Sequence, residues 1–472
     1  MQRPWVLIPL LLAAMPVQAQ TRADSTLVGR ILAAEDRRDS ADASIAEGLR
    51  HGDARVRLIA RRALGRIRDP LFAARDSLAP AAAPHAWPEP AWRLRYRALA
   101  DRRGDCGALR AALADSAWQV RLRAADLVQP SCGADSALVR VLTRWVDVLP
   151  RNAGRRAADG VSWHAAAHAE AALARIAPSV ARARLPRLAA HADWPVRMYA
   201  ARAAALLADT PRLRALAGDA DGNVQEAAID ALAKLVGHGA DDIYLRALNG
   251  SQAQAVRAAA IALKGSPDPR ARTAANEVFE RWVRRANESE RDARVALLEA
   301  AGRPASDDRP PAARTDVPAE AVALALGKEV RVRVTMSPAS GGGSFVVRLR
   351  GDVAPIMAAR ILQLVRSGYY DGGNWHRVEP DFVIQGGGPG TNEYVGYPRY
   401  LRDELGTIAH PRGTVGMSTR GHDTGDAQWF VNVKDNPRLV RDYTVFAEVV
   451  EGIGVVDGIL EGDRVASMRV VR

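Results

Sequence analysis

The sequence predicts a multidomain protein, an all-α solenoid of stacked helix pairs followed by a β-rich domain with flanking helices. Three observations carry this. An Asp-x-x-Val-Arg pattern recurs between Asp53 and Val295, a Pro-rich stretch interrupts the chain from Pro304 to Pro318, and apolar residues begin to alternate after Glu329. At 472 residues and 48% hydrophobic, the chain is too long for one core and too apolar to stay disordered.

Residues 1–19 read as a cleaved secretory signal peptide. Arg3 precedes an apolar run from Trp5 to Met15, and Val17-Gln18-Ala19 puts small residues where a signal peptidase reads. The run falls short of the ~20 residues of a membrane span, and no later stretch is long and apolar enough. The expectation is an exported protein, in the periplasm or envelope of a bacterium. Its net charge of +12, from 66 basic and 54 acidic residues, chooses no partner by itself. Export argues against nucleic acid. Cys106 and Cys132 are the only cysteines; an oxidising compartment would let them pair, and the sequence leaves open whether they are close enough.

From 20 to 303 the chain is rich in Ala, Leu and Arg. Asp53-Ala54-Arg55-Val56-Arg57, Asp193-Trp194-Pro195-Val196-Arg197 and Asp221-Gly222-Asn223-Val224-Gln225 repeat one pattern, with looser copies at Val120, Val256 and Val295. After Val56, residues Ala60, Ala63, Leu64 and Ile67 line one helical face, as Ala228, Ala231, Leu232 and Leu235 do after Val224. The leading Asp can accept hydrogen bonds from the first turn. One helix pair cannot bury such a stripe alone and must stack on the next. The array resembles HEAT repeats. Within it, His164 and His168 share a helix face at i, i+4, but no His-Glu-x-x-His motif is present, so a surface helix face is expected rather than a metal site. The Arg after each Val is expected on a solvated outer face, in Asp–Arg pairs between repeats.

Residues 304–326 read as an extended linker and 327–472 as the second domain. Val330, Val332 and Val334 alternate with polar residues, and Phe345 to Leu349 follows three glycines, which is a hairpin signal. Pro355 to Ser367 reads as a helix. Strands dominate the remainder.

The chemistry concentrates in three blocks. Trp375-His376-Arg377-Val378-Glu379-Pro380-Asp381-Phe382-Val383-Ile384-Gln385-Gly386-Gly387 is the first; Arg412 to Ser418 with Gln428-Trp429-Phe430-Val431-Asn432 is the second; Tyr443 to Gly452 is the third. In this order and spacing they resemble the cyclophilins, peptidyl-prolyl cis-trans isomerases with a closed β-barrel and flanking helices. The resemblance implies that Arg377 is the catalytic cation; Gln385, two residues beyond Val383 on the same strand face, is the second catalytic residue, with an amide that could hold the substrate carbonyl. The resemblance further implies that Phe382, Val383, Ser418, Gln428, Phe430, Leu439 and Tyr443 bind substrate. No metal or organic cofactor is implied. The residue types suit the task. Rotation about a peptide C–N bond costs about 18–20 kcal/mol. At the twisted transition state the prolyl nitrogen becomes a hydrogen-bond acceptor that a fixed guanidinium can meet. Departures from the family pattern are Val383 for Met, Trp429 for Phe, Tyr443 for His, and Ser418-Thr419 where a small residue and Asn are common.

The implied function is isomerisation of X-Pro bonds in exported proteins. Proline-containing polypeptides would be the clients, with the array's extended concave face holding a client or partner and the linker tethering the isomerase. The competing reading is a non-catalytic scaffold or chaperone that only binds Pro-containing segments. The tryptophan through which some cyclophilins bind cyclosporin is missing, with Arg438 in its region. Cyclosporin should therefore inhibit weakly in a peptide isomerisation assay; inhibition at nanomolar drug would show the pocket to be misplaced.

Overall fold

The computed structural model describes residues 17–69, 83–149, 162–285, 287–309 and 317–471. Most of the signal-peptide segment, residues 1–16, lies outside the described residues. Three helices come first: α1 (Val17–Arg37), α2 (Ala43–Leu49) and α3 (Ala54–Arg68). The array proper follows as α4 (Trp92–Ala98), α5 (Cys106–Ala112), α6 (Trp118–Asp126), α7 (Ser136–Asp147), α8 (Trp163–Ile176), α9 (Pro178–Ala189) and α10 (Trp194–Leu206). It continues with α11 (Thr210–Leu216), α12 (Gly222–Val236), α13 (Asp241–Leu248), α14 (Ala253–Leu263), α15 (Pro269–Trp282) and α16 (Arg291–Ala300).

The repeated pattern works through both its polar residues. Asp53 accepts a hydrogen bond from the Arg55 N–H at 2.6 Å and Asp221 one from Asn223 at 2.9 Å, whereas Asp193 makes no such cap. Val56, Val196, Val224 and Val256 are all fully buried. The Arg after Val turns back on the preceding loop: Arg57 Nη1 donates to the His51 and Gly52 carbonyls, Arg121 to Asp115 and Ser116, and Arg197 to His191 and Ala192. It is therefore a turn-closing donor as well as an ion-pair partner. Arg197 also pairs with Asp219 of the next unit at 2.7 Å, as expected. Cys106 and Cys132 form a disulfide with Cα atoms 5.5 Å apart, tying α5 to the turn before α7.

The β domain contains β1 (Arg331–Met336), β2 (Ser344–Leu349), β3 (Trp375–Val378), β4 (Val383–Gly386), β5 (Thr414–Met417), β6 (Trp429–Asn432), β7 (Val445–Glu451) and β8 (Val465–Val471). They form one antiparallel sheet in the order β3-β4-β6-β5-β7-β2-β1-β8. The hairpin read at Val332 is β1–β2, and the expected helix is α18 (Pro355–Arg366), preceded by α17 (Ala319–Ala325) and followed later by α19 (Ile453–Gly458). The sheet is curled. Its edge strands β3 and β8 meet through a bridge between Asn374 and Arg464 and nearby backbone bonds such as Trp375 N–H to the Asp463 carbonyl, so the expectation of a closed barrel is met only as this curled sheet.

Two findings change the domain picture. First, α1–α3 and α17 share one hydrophobic core with the sheet and α18, while α4–α16 form a separate core. The segment expected as a linker thus contains a docked helix, and Asp308 within it pairs with the buried Arg294 at 2.7 Å. Second, seven alternate helices of the array reach the β domain, α4 among them through the pair of Arg97 with Asp381. Gln119 of α6 donates to the Asp457 carbonyl, His164 of α8 bonds the Glu461 carbonyl, and Tyr199 of α10 donates to the Glu461 carboxylate. Asn223 of α12 donates to Gly390 and Thr391, Arg257 of α14 lies over Tyr394, and Asp292 of α16 pairs with Arg420. The face of the array formed by these alternate helices is turned on the β domain, which is packed against the array rather than tethered to it. His164 is accordingly buried and stacked on Trp163, not exposed as expected. Among the described residues no helix is long and apolar enough to cross a membrane, and no cluster of three metal-ligating side chains occurs.

One side chain joins the two ends of the chain. Arg66 of α3, 2% exposed, pairs with Glu35 at 2.8 Å and donates to the carbonyls of Val353, Glu404 and Leu405 at 2.7–3.0 Å. Replacing it with Ala leaves Glu35 and three carbonyls buried without their donor, so Arg66→Ala should lose about 3 kcal/mol or more of stability in urea unfolding. A loss below about 1 kcal/mol, the scale of an exposed pair, would contradict this.

Candidate active site

Register places the central residues. Across neighbouring strands Arg377 lies opposite Gln385, Gln385 opposite Phe430, and Phe430 opposite Gly416, so four strands contribute to one row. Val383, two residues before Gln385, falls on the same face. Gly416 is required by closeness: a Cβ there would lie 2.3 Å from the Phe430 ring. The β3–β4 turn is held by Glu379 N–H to the Val383 carbonyl and Phe382 N–H to the Glu379 carbonyl, both 2.9 Å, which brings Phe382 to the rim.

The resulting pocket is lined by Arg377, Phe382, Val383, Gln385, Ser418, Phe430, Leu439 and Tyr443, together with Glu393 and Thr419. Val383, Phe430 and Leu439 form a small apolar cluster of their own, with Phe382 and Tyr443 against it. Tyr443 meets Phe430 edge-on at 5.5 Å, and His410 stacks near-parallel behind the same ring at 6.1 Å. That seat is rigid, aromatic and without charge at its base.

Polar groups ring it. Gln385 Nε2 donates to Ser418 Oγ at 2.9 Å and Gln428 Oε1 at 3.3 Å, so holding a substrate carbonyl would require exchange of one of these bonds. Arg377 is half-exposed and forms a two-point ion pair with Glu379 at 2.6 and 2.8 Å. Arg438, in the region where the family resemblance predicts a tryptophan, lies 4.3 Å over Phe382. Gln428 does not line the pocket. It is buried behind Gln385 and donates to the Glu393 and Val395 carbonyls, positioning the loop that carries Glu393. Glu393, Glu379 and His410 were not foreseen. Each depends on a loop path that no local pattern encodes.

Both histidines near the site are neutral. Burial pushes His376 down to about 4, with Arg377 beside it adding to the effect, and burial pushes His410 down to about 4 against the Tyr443 carbonyl it bonds at 3.0 Å.

Residues 332–471 match the family model described as cyclophilin type peptidyl-prolyl cis-trans isomerase/CLD, and residues 181–264 match HEAT repeats. A peptidyl-prolyl cis-trans isomerase of Helicobacter pylori is 34% identical over 130 residues, 27% of this chain and 80% of that protein. Peptidyl-prolyl cis-trans isomerase B of Bacillus subtilis is 34% identical over 132 residues, 27% of this chain and 92% of that protein. The peptidyl-prolyl cis-trans isomerase-like 2 of Gibberella zeae is 37% identical over 119 residues, but the match spans only 21% of its length. The chain belongs to the cyclophilin-type peptidyl-prolyl cis-trans isomerases, with a HEAT-repeat array in the same polypeptide.

The buried imidazoles make the site acid-sensitive. An unfolded His titrates near 6.5, so between pH 6.5 and about 4 the unfolded chain binds more protons than the folded one. Their contribution to stability is present above pH 6.5 and is lost as the pH falls toward 4. In thermal unfolding across that range, His410→Asn should show a shallower loss than the parent; parallel curves would contradict the assignment.

Proposed function

We propose that the protein accelerates rotation about X-Pro bonds of exported proteins, with Arg377 as the donor to the prolyl nitrogen and the Phe382–Val383–Phe430–Leu439–Tyr443 seat holding the ring. The observation that carries this is a cation, Arg377, at the edge of an aromatic seat whose base carries no charge, with Glu379, Glu393 and Arg438 as the other charged groups around it. The seat excludes water from the ring, and the guanidinium gains an acceptor only when the bond twists, so it favours the transition state over the bound substrate. Gln385 and Ser418 supply the adjoining polar contact. The curled sheet, read as a barrel closed along the β3–β8 seam, keeps Arg377 at that edge. Export is supported by the signal-peptide pattern at residues 1–19 and by the pairing of Cys106 with Cys132, which suits an oxidising compartment.

A pocket that merely bound proline segments would have no use for a guanidinium at the ring edge, which weighs against the scaffold reading. Arg377→Ala should lower turnover of a short proline peptide by about 10²-fold, the scale of losing one oxyanion-type donor, with the circular dichroism spectrum unchanged. Parent-like turnover in this variant would refute the mechanism.

A further inference from the structure

A second cavity opens beside the prolyl seat, between the array and the β3–β4 turn. It measures roughly 300 Å³, within the range of small-ligand sites. Its β-domain wall is Val378 to Phe382 with Leu460 and Glu461, and its array wall comes from α4, α6, α8 and α10. Phe382 lines both cavities, so the two adjoin at one ring.

The surfaces are aromatic and apolar, from Tyr96, Trp118, Leu122, Tyr199, Pro380 and Leu460. Its acids are already engaged. Asp126 pairs with His168 at 2.6 Å, Asp381 with Arg97 at 2.7 Å, Glu461 accepts from Tyr199 at 2.9 Å, and Glu379 holds Arg377. Two donors are not. Trp118 Nε1 and Arg123 Nε, both on α6, are shut off from solvent and have no hydrogen-bond partner, although Arg123 also lies over the Tyr96 ring at 5.2 Å. A buried donor without an acceptor is costly, and native proteins satisfy nearly all of them.

We infer that this cavity is a substrate subsite for the polypeptide flanking the proline, taking an aromatic or large apolar side chain whose entry turns the Trp118 indole, closed to solvent beforehand, so that a backbone carbonyl of the peptide reaches Trp118 Nε1. An occupant must bring apolar surface and an acceptor, and must continue past Phe382 from the prolyl seat. A peptide does all three. The array thereby supplies part of the substrate site itself, a role that rests on the isomerase reading only for where the chain enters.

The test uses the full-length protein and labelled ten-residue peptides with one proline, in which Phe replaces Ala at each position up to four residues on either side. Binding is read by fluorescence anisotropy and turnover separately. Phe at one position, or two adjacent ones, on a single side of the proline should tighten binding at least fivefold. Leu122→Trp, which fills the cavity, should abolish that ratio. Trp118→Phe should weaken binding of the preferred peptide about threefold or more while leaving the thermal midpoint equal or higher, because it removes an unsatisfied donor; a purely structural tryptophan would lower the midpoint instead. Arg377→Ala should lose turnover and keep the binding preference. No positional preference, a preference that survives Leu122→Trp, or parent-like binding by Trp118→Phe would overturn the subsite. Preference without turnover in the parent would leave the subsite standing and sink the isomerase mechanism instead.

Discussion

The arrangement depends on the buried contact of Arg66 with Glu35 and the carbonyls of Val353, Glu404 and Leu405. These groups come from the first helices and from the β domain, more than 280 residues apart along the chain. Because the pairing is buried, it cannot be exchanged for water at little cost, as an exposed pair can. The chain's described beginning and its end therefore share one core. Everything between them has to leave that core and return to it. An array under that constraint cannot project freely as a tethered arm would, and the contacts from Gln119, His164, Tyr199, Asn223, Arg257 and Asp292 show it running along the β domain.

This return path also explains the chemistry at the β3–β4 turn. In a free-standing β domain that turn would face water. Here Arg97 pairs with Asp381 and Arg93 donates to the Pro380 carbonyl, so the array fixes the backbone next to Phe382. One wall of the prolyl seat is thus set by residues outside the β domain. Trp87 makes the same point on another side: its indole donates to the Val449 carbonyl and fills the space beside Gly413, where any Cβ would collide with it.

What the sequence disclosed, and what it hid, follows from range. The Val-centred helical stripes, the β1–β2 hairpin and α18 are periodic over ten or so residues, and each was legible apart from Leu235, which was read into the stripe after Val224 and is exposed at the end of α12. The row Arg377, Gln385, Phe430 was legible only through family resemblance, because its register joins strands separated by long loops. The helix at Ala319–Ala325 was hidden: seven residues, four of them Ala, between a Pro-rich stretch and a strand show no stripe, and its stability comes from packing on α1 and α18. His164 and His168 were placed on one helix face correctly, but spacing does not say which face is covered. That depends on Glu461, 297 residues away. Gln428 was grouped with the binding residues by its position in a motif, whereas its side chain supports the Glu393 loop from behind.

The ion pair of Arg377 with Glu379 looks at first like an obstacle to catalysis, since a guanidinium held by a carboxylate is not free to meet a nitrogen. The magnitudes argue otherwise. The pair is exposed, 39% and 50% at its two side chains, and such pairs are worth about 0–1 kcal/mol. A positioned donor meeting charge that develops in a water-excluded site is worth about 3–4 kcal/mol. On the proposed mechanism Arg377 would therefore be redirected at little cost once substrate covers Phe382, while the carboxylate otherwise holds the guanidinium at the rim. Glu379 lies on the side of the turn that faces the adjoining cavity. A polypeptide crossing from the prolyl seat into that cavity would pass over the pair, drying it and bringing the prolyl nitrogen within its reach in the same step.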